Sequence, residues 1–138
     1  HLNHGGTFTC DAFSAKYVNA IHTSSFADGS YGGEPGGFVL TVNDKSIYIA
    51  GDTCAHYDMK LIPMFAKLNI AILPIGDTFT MGVDEAIIAS DFVECDSIIG
   101  CHFNTFPPIE INTEEAKSKF ASKSKELILL EIGASISI

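Results

Sequence analysis

Ser46-Ile47-Tyr48-Ile49-Ala50-Gly51-Asp52-Thr53 is the stretch on which the fold turns. A run of strand character ends in a glycine, and the glycine delivers a carboxylate at the strand's C-terminal end. Just upstream, Phe38 to Val42 pairs with this strand as a hairpin around Asn43-Asp44, residues that tolerate turn dihedrals. The same placement recurs twice with a different side chain. His22 follows the predicted strand Ala15 to Ile21, and His102 follows the predicted strand Ser97 to Cys101. Side chains at strand ends of a packed sheet converge on one edge, where a rigid scaffold holds them open to a ligand.

Outward from this hairpin the chain changes character. Before it lie Thr7 to Cys10, a short β-type run, and a glycine-rich loop from His22 to Gly37. After it, helices and strands alternate. Tyr57 to Leu68 has helical periodicity, with Pro63 placed to kink or shorten it. Ile70 to Leu73 reads as a buried strand, Pro74 to Gly82 as a loop, and Asp84 to Val93 as a helix with Ala86, Ile87, Ala89 and Ser90 inward. Thr113 is the expected cap of a helix with Glu114 and Glu115 in its first turn and Lys123 to Lys125 at its negative end. Leu127 to Leu130 and Ser135 to Ile138 close the pattern as strands. Hairpins followed by alternating elements predict a layered α/β (α+β) sandwich, formed by residues 1–138 as a single domain.

The composition bounds the function. The 138 residues are 46% hydrophobic and 18% charged, an ordinary globular balance. A net charge of −9 disfavours a nucleic-acid binder and a polybasic membrane-surface role, since both need clustered Lys and Arg. No apolar run approaches the ~20 residues that span a bilayer. Cys10, Cys54, Cys95 and Cys101 form no CxxC pair and read as reduced thiols, which points to a cytoplasmic setting.

Taken singly, His22 and His102 read as hydrogen-bonded residues and Asp52 as a turn residue. Their shared place at strand ends raises the joint reading. Two imidazoles and a carboxylate are a sensible ligand set for Zn²⁺ or another borderline divalent ion, with Mn²⁺ the alternative. Such an ion lowers the pKa of bound water towards ~7.

Gly51-Asp52-Thr53 resembles the Gly-Asp-Thr segment of the metallo-β-lactamase superfamily. Further segments resemble its subfamily of uncharacterised metal-dependent hydrolases, in the same order and over nearly the whole chain. These are Ala20-Ile21-His22-Thr23-Ser24-Ser25, Asp58-Met59-Lys60-Leu61-Ile62, Leu73-Pro74-Ile75-Gly76, Phe79-Thr80-Met81-Gly82 and His102-Phe103-Asn104-Thr105-Phe106-Pro107-Pro108. The resemblance implies an αββα sandwich with one or two metal ions at one sheet edge. His22 would be a ligand of the first metal, Asp52 the bridging and catalytic carboxylate, and His102 a ligand of the second. Thr80 falls near the metal centre by the same likeness. Thr53 is either a hydrogen-bond donor behind a ligand or a turn hydroxyl, and Asn104 either orients substrate or shapes the turn before Pro107-Pro108. His4 is expected near the pocket rim.

The superfamily's His-x-His-x-Asp-His cluster does not occur in this sequence, and His1 and His4, three apart, do not replace it. Together with a first residue that is not Met, this leads to the expectation that the chain resembles the C-terminal part of the family domain, N-terminally truncated. The function expected is a metal-dependent hydrolase acting through a metal-activated hydroxide on an ester, lactone or phosphodiester bond of a small molecule. The alternative is a non-catalytic fragment or degenerate domain that binds a partner, either a second copy or an N-terminal complement. A cysteine catalyst built on Cys54 or Cys101 is a third reading, weakened because adjacent Cys101 and His102 point to opposite faces of a strand.

Overall fold

The computed structural model describes residues 2–138, so His1 of the His1–His4 pair lies outside the described residues. Seven strands form one sheet in sequence order: β1 (Thr7–Thr9), β2 (Ser14–Asn19), β3 (Gly36–Val42), β4 (Lys45–Ile49), β5 (Ile70–Pro74), β6 (Ser97–Cys101) and β7 (Glu126–Ile128). The first four pair antiparallel, and β4 to β7 pair parallel. Parallel neighbours need a crossover. A 3₁₀ segment (Tyr57–Met64) leads from β4 to β5, α1 (Val83–Phe92) from β5 to β6, and α2 (Thr113–Ser122) from β6 to β7. Each step moves the same way along the sheet, and such crossovers are right-handed, so all three segments land on one face.

That face is the core. Val39, Tyr48, Ala71, Leu73, Ile98 and Leu127 project from alternate positions of successive strands. They pack with Ala86, Ala89 and Val93 of the α1 region, Ala116 and Phe120 of α2, and Met59 and Ile62 of the 3₁₀ segment. The inward set expected for α1, Ala86, Ile87, Ala89 and Ser90, is the buried set.

The opposite face is different. Tyr17, Phe38, Ile49, Ile72, Ile99 and Ile128 align across six strands, and every one is partly exposed. The described residues thus supply one sheet and one helical layer of the expected four-layer sandwich, with an apolar sheet face left open.

Four local expectations are corrected. Tyr57 to Leu68 is not an α-helix but a 3₁₀ turn ending at Met64. Pro63 has no N–H and its ring crowds the carbonyl four residues back, while a three-residue turn still buries Met59 and Ile62 together. The cap of α2 is Asn112, not Thr113: its Oδ1 accepts from the N–H groups of Glu114 and Glu115, both at 3.1 Å. Lys125 is not a helix-end cation in water but is turned inward, only 8% exposed. Ser135 to Ile138 forms no strand and β7 ends at Ile128, because alternation alone makes no strand without a neighbour to pair with. All four cysteines are free thiols, and among the described residues no helix is long and apolar enough to cross a membrane.

Candidate functional site

Strands β2 and β4 both run antiparallel to β3, so they point the same way, and β5 and β6 follow β4 in parallel. Four C-terminal strand ends therefore meet at one edge of the sheet. The loops leaving them bring His22, Asp52, Thr80 and His102 onto the wall of one cavity of about 670 Å³.

Asp52 and His102 face each other there, with Oδ2 3.8 Å from Nε2. That is too long for a hydrogen bond. Two ligands of one tetrahedral ion stand about 3.4 Å apart, so the pair fits a shared cation more closely than a direct bond. Gly51 makes the turn before Asp52 at φ +69°, where a side chain is strained. His102 itself is left-handed, φ 53°. Its backbone is pressed against the end of β5: a Cβ on Gly76 would lie 2.1 Å from the His102 carbonyl oxygen. Gly76 is therefore a condition for the placement of His102, a role the sequence pattern does not show although Leu73-Pro74-Ile75-Gly76 resembles the family. Its only signal is a glycine in the predicted loop Pro74 to Gly82, three residues past the predicted buried strand.

His22 Nδ1 lies 2.7 Å from the Thr23 carbonyl, which can only accept. Nδ1 thus carries the proton, and Nε2 keeps its lone pair for a ligand. His102 Nδ1 is buried with no hydrogen-bond partner among the described residues. The donor chemistry fits a divalent cation, and the paired Asp52 and His102 fit its geometry. His22 shares the cavity without closing on them: among the described residues no three His, Cys, Asp or Glu side chains converge closely enough to hold an ion.

The remaining candidates separate. Thr53 is fully buried, and its hydroxyl bonds only backbone, accepting from Ile21 N–H at 2.9 Å and donating to the Cys54 carbonyl at 2.8 Å. With Cys54 N–H donating to the Ile21 carbonyl at 3.2 Å, it ties the segment carrying His22 to the segment carrying Asp52. Thr80 lines the cavity, and its buried hydroxyl has no partner among the described residues. Asn104 lies outside this cavity; its Oδ1 accepts from Ile111 N–H at 2.7 Å and shapes the loop. His4 does not reach the rim either. Its Nε2 donates to the Pro35 carbonyl at 2.8 Å, beside a separate cavity with Lys16 and Asp58. Burial, and to a lesser degree the Asp52 charge, push the Cys101 thiol up to about 11. It stays protonated at neutral pH, the reverse of an activated nucleophile.

The sequence model described as the Beta-lactamase superfamily domain matches residues 1–102. A UPF0173 metal-dependent hydrolase of Christiangramia forsetii is 65% identical over 99% of this chain and 61% of its own length. A UPF0173 metal-dependent hydrolase of Flavobacterium johnsoniae is 62% identical over the same shares. Among solved structures, a metallo hydrolase from the hyperthermophilic archaeon Ignicoccus hospitalis superposes with a TM-score of 0.83 at 29% identity, over 97% of this chain and 58% of that one. The chain spans about 60% of the length of these relatives. It belongs to the metallo-β-lactamase superfamily and carries that superfamily's fold.

Proposed function

We propose that this chain carries part of the site of a metal-dependent hydrolase that cleaves an ester, lactone or phosphodiester bond in a small molecule. One observation carries the reading: Asp52 and His102, from different strand ends, face each other at 3.8 Å on a cavity that His22 also lines. The names of the two relatives above, both metal-dependent hydrolases, support the same class.

His22 and His102 would hold a divalent ion through Nε2, and Asp52 through its carboxylate. One or two ions fit this donor chemistry, with Zn²⁺ preferred for a nitrogen and oxygen set and Mn²⁺ the alternative. The ion supplies a Lewis acid and makes hydroxide available near neutral pH. Asp52 would orient the attacking water by accepting its hydrogen bond on the carboxylate oxygen not held by the ion. Thr80 contributes a hydroxyl for a substrate oxygen. Thr53 acts indirectly, by locking the segments that carry His22 and Asp52. Asn104 acts through the loop that follows His102. The net charge of −9 and the free thiols support a cytoplasmic enzyme of small molecules, with no nucleic acid or membrane as partner.

A second reading, a domain that mainly binds a partner, is favoured by the open apolar sheet face and by the lack of three converging ligands among the described residues. An N-terminal complement or a second copy would cover that face. Elemental analysis separates the readings. Zinc per chain is measured alone and after mixing with the part of a relative that this chain does not cover. Retention of one or two ions by the mixture, lost in His22→Ala, Asp52→Ala and His102→Ala, is the expected result. A mixture that forms a complex but holds no zinc overturns the hydrolase reading in favour of the second.

A further inference from the structure

Phe79 lines the same cavity as Asp52 and His102, yet half of its surface, 52%, is exposed. Single exposed aromatics are ordinary. This one is unusual in how it is held. Its loop is built on two left-handed non-glycine residues, Asp77 (φ 61°) and Thr78 (φ 56°), a conformation that costs energy. Asp77 N–H donates to the Met81 carbonyl at 3.0 Å, and fully buried Met81 anchors the loop. The Thr78 hydroxyl donates to the Pro108 carbonyl at 2.7 Å, which fastens this loop to the one after β6. That second loop carries Phe106, 43% exposed, with its ring centroid 6.0 Å from that of Phe79. It too is built at backbone cost, through His102 (φ 53°) and Asn104 (φ 54°), and is closed by Asn104 N–H donating to the Ile109 carbonyl. Ile21 lines the same cavity with His22 and is 51% exposed.

Two strained, cross-linked loops thus hold an aromatic pair in place without burying it. Held rigid and left half wet, the rings serve the core poorly and a ligand well, since preorganised apolar surface binds without an ordering cost. Resting on the hydrolase reading, we infer that Phe79, backed by Phe106, determines specificity: the substrate carries a flat apolar substituent, an aryl group, beside the oxygen-bearing group that faces Asp52 and His102. Phe79 supplies the contact face and Phe106 supports it. Thr78 sets the loop geometry through Pro108.

The test uses this chain with ring-labelled phenylalanine, observed by NMR. Benzyl alcohol, a neutral aryl probe that needs no metal, should shift the Phe79 and Phe106 ring signals saturably, while ethanol does not. Phe79→Ala should weaken benzyl alcohol at least tenfold, Phe79→Leu by less, and Phe26→Ala, an exposed ring off the cavity wall, not at all. Phosphonates with zinc added read the joined site: benzylphosphonate should bind at least tenfold tighter than methylphosphonate. Ring shifts of equal size at Phe26, or none at Phe79, overturn the inference whatever the metal does. Saturable ring shifts in a chain that holds no zinc, even when complemented, leave the aryl site standing and sink the hydrolase reading instead.

Discussion

Lys125 and His102 are both polar side chains drawn into the protein, and their surroundings treat them in opposite ways. Lys125, at the shoulder where α2 returns to β7, meets Asp91 and Asp96 at 3.0 Å each and the Cys95 carbonyl at 3.4 Å. His102, at the strand-end edge, leaves Nδ1 buried and unpartnered, as Thr80 leaves its hydroxyl and His56 both ring nitrogens, among the described residues. The backbone does not follow that division. Asp77, Thr78, His102 and Asn104 are all left-handed at the edge, but so are Glu94 (φ 51°) and Ser124 (φ 59°) at the shoulder, where each ends a helix. A region that only has to be stable satisfies most of its polar groups, although Tyr48 leaves its phenol oxygen buried without a partner in the core, among the described residues. The cluster of unpaired side chains at the edge survives where another function requires it.

The sharpest way to break this comparison is to remove one ring from each region. Phe120→Ala, in the fully buried core under α2, should cost about 3–5 kcal/mol in urea unfolding. Phe79→Ala should stay within about 0.5 kcal/mol. Equal costs would make the rim part of the core and end the distinction. Next is Gly76→Ala, where the added Cβ meets the His102 carbonyl oxygen at 2.1 Å. It should cost about 1–3 kcal/mol and, in the complemented chain, lower bound zinc as well. A stable Gly76→Ala chain that keeps its zinc would show that the close approach is dispensable.

Thr53→Val removes a buried hydroxyl while keeping its shape, and leaves Ile21 N–H and the Cys54 carbonyl without that partner. A loss of about 1–3 kcal/mol is expected, with Thr53→Ser recovering most of it. Amide exchange at Ile21 should rise in the valine variant alone. The smallest effects are pH-dependent and lie at opposite ends of the scale. Burial lowers the His56 pKa from its ordinary 6.5, with nearby Asp58 and the Asn19 backbone opposing. The unfolded chain then binds more protons below pH 6.5, so stability is full above that pH and falls as pH drops through it. His56→Gln should flatten that limb. Burial alone would lower Lys125, but hydrogen bonds to Asp96 and Asp91 more than reverse it and leave its pKa raised from 10.5. Its contribution is full below that pH and fades as pH rises through the folded value. Lys125→Met should flatten the alkaline limb and leave the acid limb unchanged.

Much of the site was legible because strand ends are legible. Apolar runs that stop at Ala50, Ile21 and Cys101 place Asp52, His22 and His102 one or two residues on, and parallel strands carry such positions to one edge. Illegible were the features that depend on what lies opposite in space. Asn112 and Thr113 are both plausible caps by type, and only the path into α2 chose Asn112. Lys125 follows a helix end in sequence but faces two carboxylates from the α1 and β6 side.

By itself, then, the sequence determined the order of strands β1 to β7, the inward face of α1, and which three polar residues leave strands at their C-terminal ends, because these follow from local periodicity and turn chemistry. Only the tertiary structure decided that Asp52 and His102 meet while His22 stands apart, that Gly76 must be glycine, that the Phe79 and Phe106 rings pair, and that one apolar face of the sheet lies open. Each of these is a distance between segments remote in the chain. Such distances are set by strand order, crossover handedness and packing, which no local pattern encodes.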